Sequence, residues 1–254
     1  MIQIENLSKS FAGRPVLRGV SLEIHEGETF AVIGRSGSGK SVLLKHIIGL
    51  LDPDEGHVLV DEVDPHALPY DDLRRLRRKF GVLFQGGALF DSMTALENVA
   101  FPLTTFTDLP KAEVRDRALE CLAMVNLPDV GPKKPNELSG GMQKRVALAR
   151  AVALQPKYIL YDEPTSGLDP QTSETINDLI NDLAATLGAT SVVITHDMHS
   201  VLRIADRAGF LHQGRMHWIG TMDDLHCCAD EATLAFVRAS EYTIGRATSG
   251  QPTT

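Results

Sequence analysis

The chain has 254 residues, 43% of them hydrophobic, enough for one large domain or a core with a subdomain. Its 25 basic residues face 33 acidic ones, a net charge of −8 that argues against a nucleic-acid binder. No apolar run reaches the roughly 18 residues a membrane span needs, no signal peptide is expected, and Cys121, Cys227 and Cys228 are too badly spaced for a disulfide framework, so a reduced cytoplasmic protein is expected.

Ile2, Ile4 and Leu7, then Val16 to Ile24, alternate apolar with polar residues, with turn signals at Ala12-Gly13-Arg14-Pro15 and Glu26-Gly27. This pattern predicts short antiparallel strands. Phe11, on the first turn, is either a core aromatic under that sheet or a ring on which adenine stacks.

Gly34-Arg35-Ser36-Gly37-Ser38-Gly39-Lys40-Ser41 fits the pattern G-x-x-x-x-G-K-[ST]. It lies between the apolar run Thr29–Ile33 and a helix-like run from Val42 to Leu50. A strand, a glycine turn and a helix in that order form an anion cradle, because backbone N–H groups converge there and the helix N-terminus adds a partial positive charge. Lys40 is placed to reach the β- and γ-phosphates of a nucleoside triphosphate, and Ser41 offers a hydroxyl to Mg²⁺.

Asp52-Pro53-Asp54-Glu55-Gly56 predicts a turn, and His57 to Val60 a strand. Leu73, Leu76 and Phe80 are expected on one face of a helix whose other side carries Arg74, Arg75, Arg77, Arg78 and Lys79, either a solvated face or a membrane-surface one. Gly81 to Phe84 reads as a buried strand ending on Gln85, and 86–94 as a flexible, partly apolar loop. Thr94 and Glu97 fit a capping box. From 95 to about 135 the chain looks all-helical, cut by Pro102, Pro110, Pro128, Pro132 and Pro135, a helical insert in an alternating strand–helix core.

Leu138-Ser139-Gly140-Gly141-Met142-Gln143 opens a helix running to about Leu154; Ser-Gly-Gly there is either a second anion site or an ordinary serine cap. Tyr158 to Tyr161 reads as a parallel strand buried on both faces, ending abruptly in Asp162-Glu163. Two carboxylates at such an end suit a metal ion and an attacking water, or else are partly exposed loop acids. A helix over Thr172 to Thr186, a buried strand over Ser191 to Thr195 ending at His196-Asp197, and closing strands over Arg207–Leu211 and Arg215–Gly220 follow. His196 with His199, and His226-Cys227-Cys228, are thin metal signals without the further ligands of a zinc site. Trp218 reads as a packing residue, and the tail after about Ser240 loses apolar periodicity and is flexible or docked on a partner.

Six motifs in this order (the loop 34–41, Gln85, 138–141, Asp162-Glu163, 166–169 and His196) resemble those of ATP-binding cassette ATPases, from about residue 2 to 226. The resemblance implies an α/β P-loop NTPase fold with a mostly parallel core sheet, an N-terminal antiparallel β subdomain and a helical subdomain at about 90–155, within one ATPase domain over 1–240 and a tail over 241–254. It implies ATP and Mg²⁺ as ligands. Carried over position by position, Phe11 stacks on adenine, where the family more often has Tyr, and residues Gly34 to Ser41 hold the phosphates. Gln85 senses Mg²⁺ and γ-phosphate, Asp162 anchors Mg²⁺ through water, Glu163 is the general base, and His196 contacts the γ-phosphate. Ser139, Gly140 and Gly141 cap the ATP of a second copy, so a homodimer sandwiching two nucleotides and bound to two transmembrane permease subunits is implied. Two positions depart from the common pattern: Met142 stands where most members have Gln, and Gly167 where Ala is commoner.

Residues 83–94, with Glu97-Asn98-Val99, Phe101-Pro102-Leu103 and 138–150, are similar to the narrower group of Mla-type cassettes. That likeness implies phospholipid transport with a permease and an Mce-type substrate-binding protein, on the cytoplasmic face of a bacterial inner membrane and touching the membrane only through the permease. No nucleic-acid partner is expected. The alternatives are another importer's cassette, or a cassette acting on DNA, ribosomes or cell division.

Overall fold

The computed structural model describes residues 1–226 and 228–240; the expected tail 241–254 and Cys227 lie outside them. Strands β1 (Ile2–Phe11) and β2 (Arg14–Ile24) pair antiparallel with Ile2 opposite Ile24, and they are longer than the short strands expected. Their turn is made by Ala12 and Gly13, both left-handed at φ 48° and 76°, the geometry that a two-residue hairpin needs. After β3 (Thr29–Ile33) and α1 (Lys40–Ile47), β4 (Glu55–Val60) joins the free side of β1 and completes a three-stranded sheet in the order β2-β1-β4.

The chain continues through α2 (Tyr70–Arg77), β5 (Phe80–Leu83), α3 (Ala95–Phe106), α4 (Lys111–Met124), a 3-10 turn (Pro135–Glu137) and α5 (Gly140–Val152). Then come β6 (Tyr158–Asp162), α6 (Pro170–Leu187), β7 (Thr190–Thr195), α7 (Met198–Ile204), β8 (Arg207–His212), β9 (Arg215–Thr221), α8 (Met222–His226) and α9 (Glu231–Ala239). The second sheet has the order β5-β6-β7-β3-β8-β9, parallel except for β9. Helices α3 to α5 form the helical block expected at about 90–155, and Thr94 with Glu97 closes both bonds of the capping box.

One expectation fails. Phe80 does not share a helical face with Leu73 and Leu76: it opens β5, pairs with Tyr158 and stacks on that ring at 5.1 Å. Helix α2 already ends at Arg77. Its guanidinium reaches away from α2 to donate to the carbonyls of Ile48 (3.0 Å) and Gly49 (2.5 Å), so the stretch of basic residues is not all solvated face.

Packing is layered by alternation. Along β3, Phe30 and Val32 face α1 and the three-stranded sheet, while Ala31 and Ile33 face α7 and α9. Helix α1 has only eight residues and no side-chain cap, so it is marginal on its own. Burial of Leu43, Leu44 and Ile47, at about 2 kcal/mol each, holds it in place. Register then sets the site: Ile33 pairs with Thr195 and Asp162 with Ile194, so the loops after β3, β6 and β7 leave one edge of the sheet together. That edge, at the carboxyl ends of parallel strands, is where α/β sheets bind ligands.

Candidate active site

The loop after β3 wraps the Lys40 side chain. Its ammonium, 5% exposed by residue, donates to the carbonyls of Gly34 (2.8 Å) and Arg35 (3.2 Å) and lies 3.5 Å from Glu163 Oε1. Two glycines make this wrapping possible. A Cβ on Gly34 would meet the Leu211 carbonyl at 2.3 Å, and Gly39 is left-handed at φ 106° with Leu17 and Val16 packed against it. Ser38 Oγ is buried in the loop with no hydrogen-bond partner, an orphaned donor in a cradle of N–H groups.

Glu163 follows directly on β6 in the left-handed region, φ 48°, with its N–H on the Ile194 carbonyl at 2.9 Å. For a residue with a Cβ this backbone costs about 1–2 kcal/mol. The turn aims the carboxylate back into the cavity, where Oε2 accepts from Thr195 Oγ1 (3.3 Å) and His196 Nδ1 (2.9 Å). A carboxylate only accepts, so Nδ1 carries the imidazole proton and Nε2 is the nitrogen left to bind elsewhere.

Asp162 Oδ1 accepts from Ser41 Oγ at 3.2 Å. Burial pushes the Asp162 carboxyl up; the Ser41 hydroxyl opposes this, and the neighbouring Glu163 charge adds to the rise. The pair offers only oxygen donors, and no group of three His, Cys, Asp or Glu side chains among the described residues could complete a metal cage. That set fits Mg²⁺, which takes one or two carboxylate or hydroxyl oxygens and completes its shell with phosphate and water. Among the described residues no third ligand joins His196 and His199, and in the signal at His226-Cys227-Cys228 the side chains of His226 and Cys227 lie outside the described ones.

A cavity of about 360 Å³ brings these groups together, lined by Ser36, Gly37 and 39–42 with Val16, Gln85, Glu163 and His196. Gln85 stands at its rim, exposed, with Nε2 donating to Ser166 Oγ at 3.4 Å. Phe11 is not in this lining. It is 42% exposed at the tip of the hairpin, which overturns the core-aromatic reading, and Lys9 Nζ stands 5.8 Å from its ring. The hairpin residue in the wall is Val16.

Ser139, Gly140 and Gly141 also stand apart from this cavity. Ser139 caps α5, accepting from the Met142 N–H at 3.3 Å, and both it and Gly140 are exposed. Gly141 meets α6: a Cβ there would stand 2.4 Å from Thr172 Cγ2, so only glycine lets the two helix starts approach. Met142 is half-buried against the core of the helical block.

Lys144 carries no role in the sequence reading, yet it ties α5 to the loop after β6. Nearly buried on α5, its ammonium donates to the carbonyls of Glu163 (3.4 Å), Pro164 (2.8 Å) and Ser166 (2.6 Å). Burial lowers its pKa below the ordinary lysine value, and the Glu163 charge opposes this. A lysine inside the apolar run of α5 was the available signal. Thr195, fully buried under Glu163, was legible only as a strand residue.

On the far side of Gln85, Phe84, Ala88 and Phe90 line a groove of about 740 Å³ with Phe101, Phe106 and several arginines, among them Arg78 and Arg150. Phe90 and Phe101, 42% and 36% exposed, pack on one another at 4.8 Å.

Residues 17–166 match the ABC transporter family. The chain is 46% identical to the methionine import ATP-binding protein MetN of Caulobacter vibrioides over 95% of its own length and 73% of that protein's. It is 42% identical to the probable ribonucleotide transport ATP-binding protein mkl of Mycobacterium leprae, over 88% of this chain and 65% of that one. Among solved structures it is similar to the dimeric, post-hydrolysis ATP-binding cassette MJ0796 bound to ADP and Pi, with a TM-score of 0.81, 40% identity, and coverage of 87% of this chain and 99% of that one. The chain therefore belongs to the ATP-binding cassettes of ABC transporters. It is an ATPase of the P-loop cassette fold, the subunit of a membrane transporter that binds ATP. Among the described residues no helix is long and apolar enough to cross a membrane.

Proposed function

We propose that Glu163 carries the hydrolytic step, at a seam between two copies of this chain, and that the cycle drives a bacterial membrane transporter. The observation that supports this most directly is the Glu163 carboxylate, held by Thr195 and His196 opposite the Lys40 ammonium in one cavity. Phosphoryl transfer asks a protein mainly to neutralise phosphate oxygens and align a water with the leaving group. Lys40 and the loop 34–41 do the first. Glu163 accepts the water's proton or orients the water, His196, its Nδ1 held by Glu163, faces the γ-phosphate through Nε2, and Gln85 reports its presence to the rim. Ser41 and Asp162 would hold Mg²⁺, which would supply charge neutralisation at the phosphate oxygens. Phe11 stacks on adenine only if the hairpin tip bends toward the nucleotide; Val16 is the wall residue otherwise.

Ser139 and Gly140 are exposed away from their own chain's cavity, with Gly141 buried behind them against α6, which suits a cap on the ATP of a second copy, as does the dimeric state of the cassette MJ0796. The groove beside Gln85 is the docking place of the permease. Its aromatic floor and arginine rim fit a short helix with an apolar face and an acidic residue. Two permease subunits place the dimer on the cytoplasmic face of an inner membrane.

Cargo has two readings. The likeness of 83–103 and 138–150 to Mla-type cassettes supports phospholipid, with an Mce-type binding protein. The names of the relatives, methionine import and ribonucleotide transport, support import of a small polar solute and a different binding protein. Purification with the native permease, followed by transfer assays with labelled phospholipid and with methionine, separates them. The hydrolytic assignment is tested by Glu163→Gln, expected to keep ATP binding, lose turnover by about 10²-fold or more and accumulate the ATP-bound dimer. Turnover near that of the parent would remove Glu163 from the step.

A further inference from the structure

Behind His196 lies a buried polar hub that none of the motifs contains. Asn177 on α6, Ser200 on α7 and Thr165 are 4%, 0% and 6% exposed; Ser200 and Thr165 meet at the Asp197 side chain, and Asn177 joins them through Ser200. Ser200 Oγ donates to Asp197 Oδ2 at 2.7 Å and accepts from Asn177 Nδ2 at 3.0 Å. Thr165 Oγ1 stands 3.3 Å from both Asp197 Oδ2 and Ser200 Oγ.

A hydroxyl has one proton. Left alone, the Ser200 proton could turn to either Asp197 or Thr165. The Asn177 N–H occupies a Ser200 lone pair and leaves the proton aimed at Asp197. Asp197 in turn holds the turn that carries His196: its Oδ1 accepts the His199 N–H at 3.0 Å, and its own N–H donates to Thr195 Oγ1 at 3.0 Å. Thr195 is the residue whose hydroxyl donates to Glu163 Oε2. The chain of bonds thus runs from α6 to the catalytic carboxylate.

Stability does not account for the amide. Asn177 Oδ1 is buried without a hydrogen-bond partner at the floor of a cavity of about 730 Å³ beside 165–168, His196 and Asp197. An unpaired buried carbonyl oxygen is destabilising, and leucine, close in volume, would remove it. Helix α6 also meets Gly141 through Thr172 and begins where the loop 165–169 ends, so the hub links the signature end of the chain to the hydrolytic end.

We propose that Asn177, Ser200 and Thr165 are positioning residues for hydrolysis, fixing Asp197 and thereby the Thr195–His196 turn that aims Glu163. The inference rests on the reading of Glu163 as the hydrolytic residue.

The test uses the full-length chain, comparing Asn177→Leu, Ser200→Ala, the double variant and Glu163→Gln for kcat, KM for ATP and Tm. Asn177→Leu is expected to hold or raise Tm, leave KM within about twofold, and lower kcat about tenfold, as misplacement of a reacting group does. Ser200→Ala removes one atom from the same hub and carries the test if the leucine variant does not fold. Its kcat is expected to fall similarly, and the double variant to fall no further than the worse single, because members of one network are not additive. Parental kcat in Ser200→Ala, or in a folded Asn177→Leu, overturns the proposal, as does a loss that appears only in KM or only in Tm. A parental kcat there while Glu163→Gln is inactive refutes the hub alone. An active Glu163→Gln refutes the reading beneath it.

Discussion

His196 Nδ1 and Glu163 Oε2 meet at 2.9 Å, although the two residues leave the ends of different strands, β7 and β6. The sheet makes this contact. Asp162 pairs with Ile194, so Glu163, the first residue after β6, emerges level with Thr195 at the end of β7, one residue before His196, and the left-handed backbone of Glu163 turns its side chain toward that strand end.

If the exposed start of α5 serves a second copy, Ser139→Arg will separate binding from turnover. The dilute chain should bind ATP with an affinity within about twofold of the parent, while turnover falls by about 10²-fold, the scale of losing a donor aimed at a reacting phosphate. Fluorescent-nucleotide titration and ATPase assays over a range of protein concentration measure both. A tenfold or larger loss of monomer affinity would contradict the shared seam.

Lys144→Met removes three bonds from a charged donor to the carbonyls of 163, 164 and 166 without changing the length of the side chain much. Those carbonyls lose partners inside the fold. Unfolding in urea should show a loss of about 3 kcal/mol, and turnover should drop further than stability explains, because Glu163 loses its anchor.

Arg77→Ala tests the clamp at the end of α1. The carbonyls of Ile48 and Gly49 lose their guanidinium donors, with an expected cost of about 1–2 kcal/mol by denaturant titration. Arg77→Lys should recover less than half, since one ammonium cannot copy the two-pronged geometry.

Asp61 gives a pH signature. Burial pushes its carboxyl up, but hydrogen bonds from Tyr158, Lys157 and Lys79 outweigh this and hold it well below the usual carboxylate range. A folded pKa depressed in this way adds stability above the unfolded value, about pH 4, and that stability is lost as pH falls toward the folded value. Asp61→Asn keeps the left-handed backbone at φ 50° that asparagine tolerates. It should be about 2 kcal/mol less stable than the parent at pH 7, and the gap should close as pH falls below about 4. Urea titrations at pH 7, 5 and 3 measure it; a gap independent of pH would refute the ion cluster as its source.

Much of the fold was legible because local pattern and tertiary need agree. The run Tyr158–Tyr161 is apolar on both sides because β6 is covered on both faces, and Thr94 with Glu97 declares a helix start whatever surrounds it. Phe80 was misplaced because its helical spacing from Leu73 and Leu76 is genuine, while the force that moves it, pairing with Tyr158, comes from far along the chain. In the site, residues in short motifs with a fixed chemistry were readable. Lys144, Thr195 and Asn177 were not, because their partners lie on other elements and nothing near them in sequence shows where their bonds go. Phe11 shows the limit from the other side, since a position matched by likeness sits outside the cavity wall.

Phe84 belongs to the arginine-rimmed groove and Gln85 to the phosphate cavity, so the two compartments are separated by a single peptide bond. A shift of the peptide between Phe84 and Gln85 would therefore be felt in both compartments at once. Across the cavity mouth Gln85 is tied by the long 3.4 Å bond from its Nε2 to Ser166 Oγ. If ATP fills the cavity and a permease helix the groove, as proposed above, so short and loosely latched a linkage carries displacement in either direction.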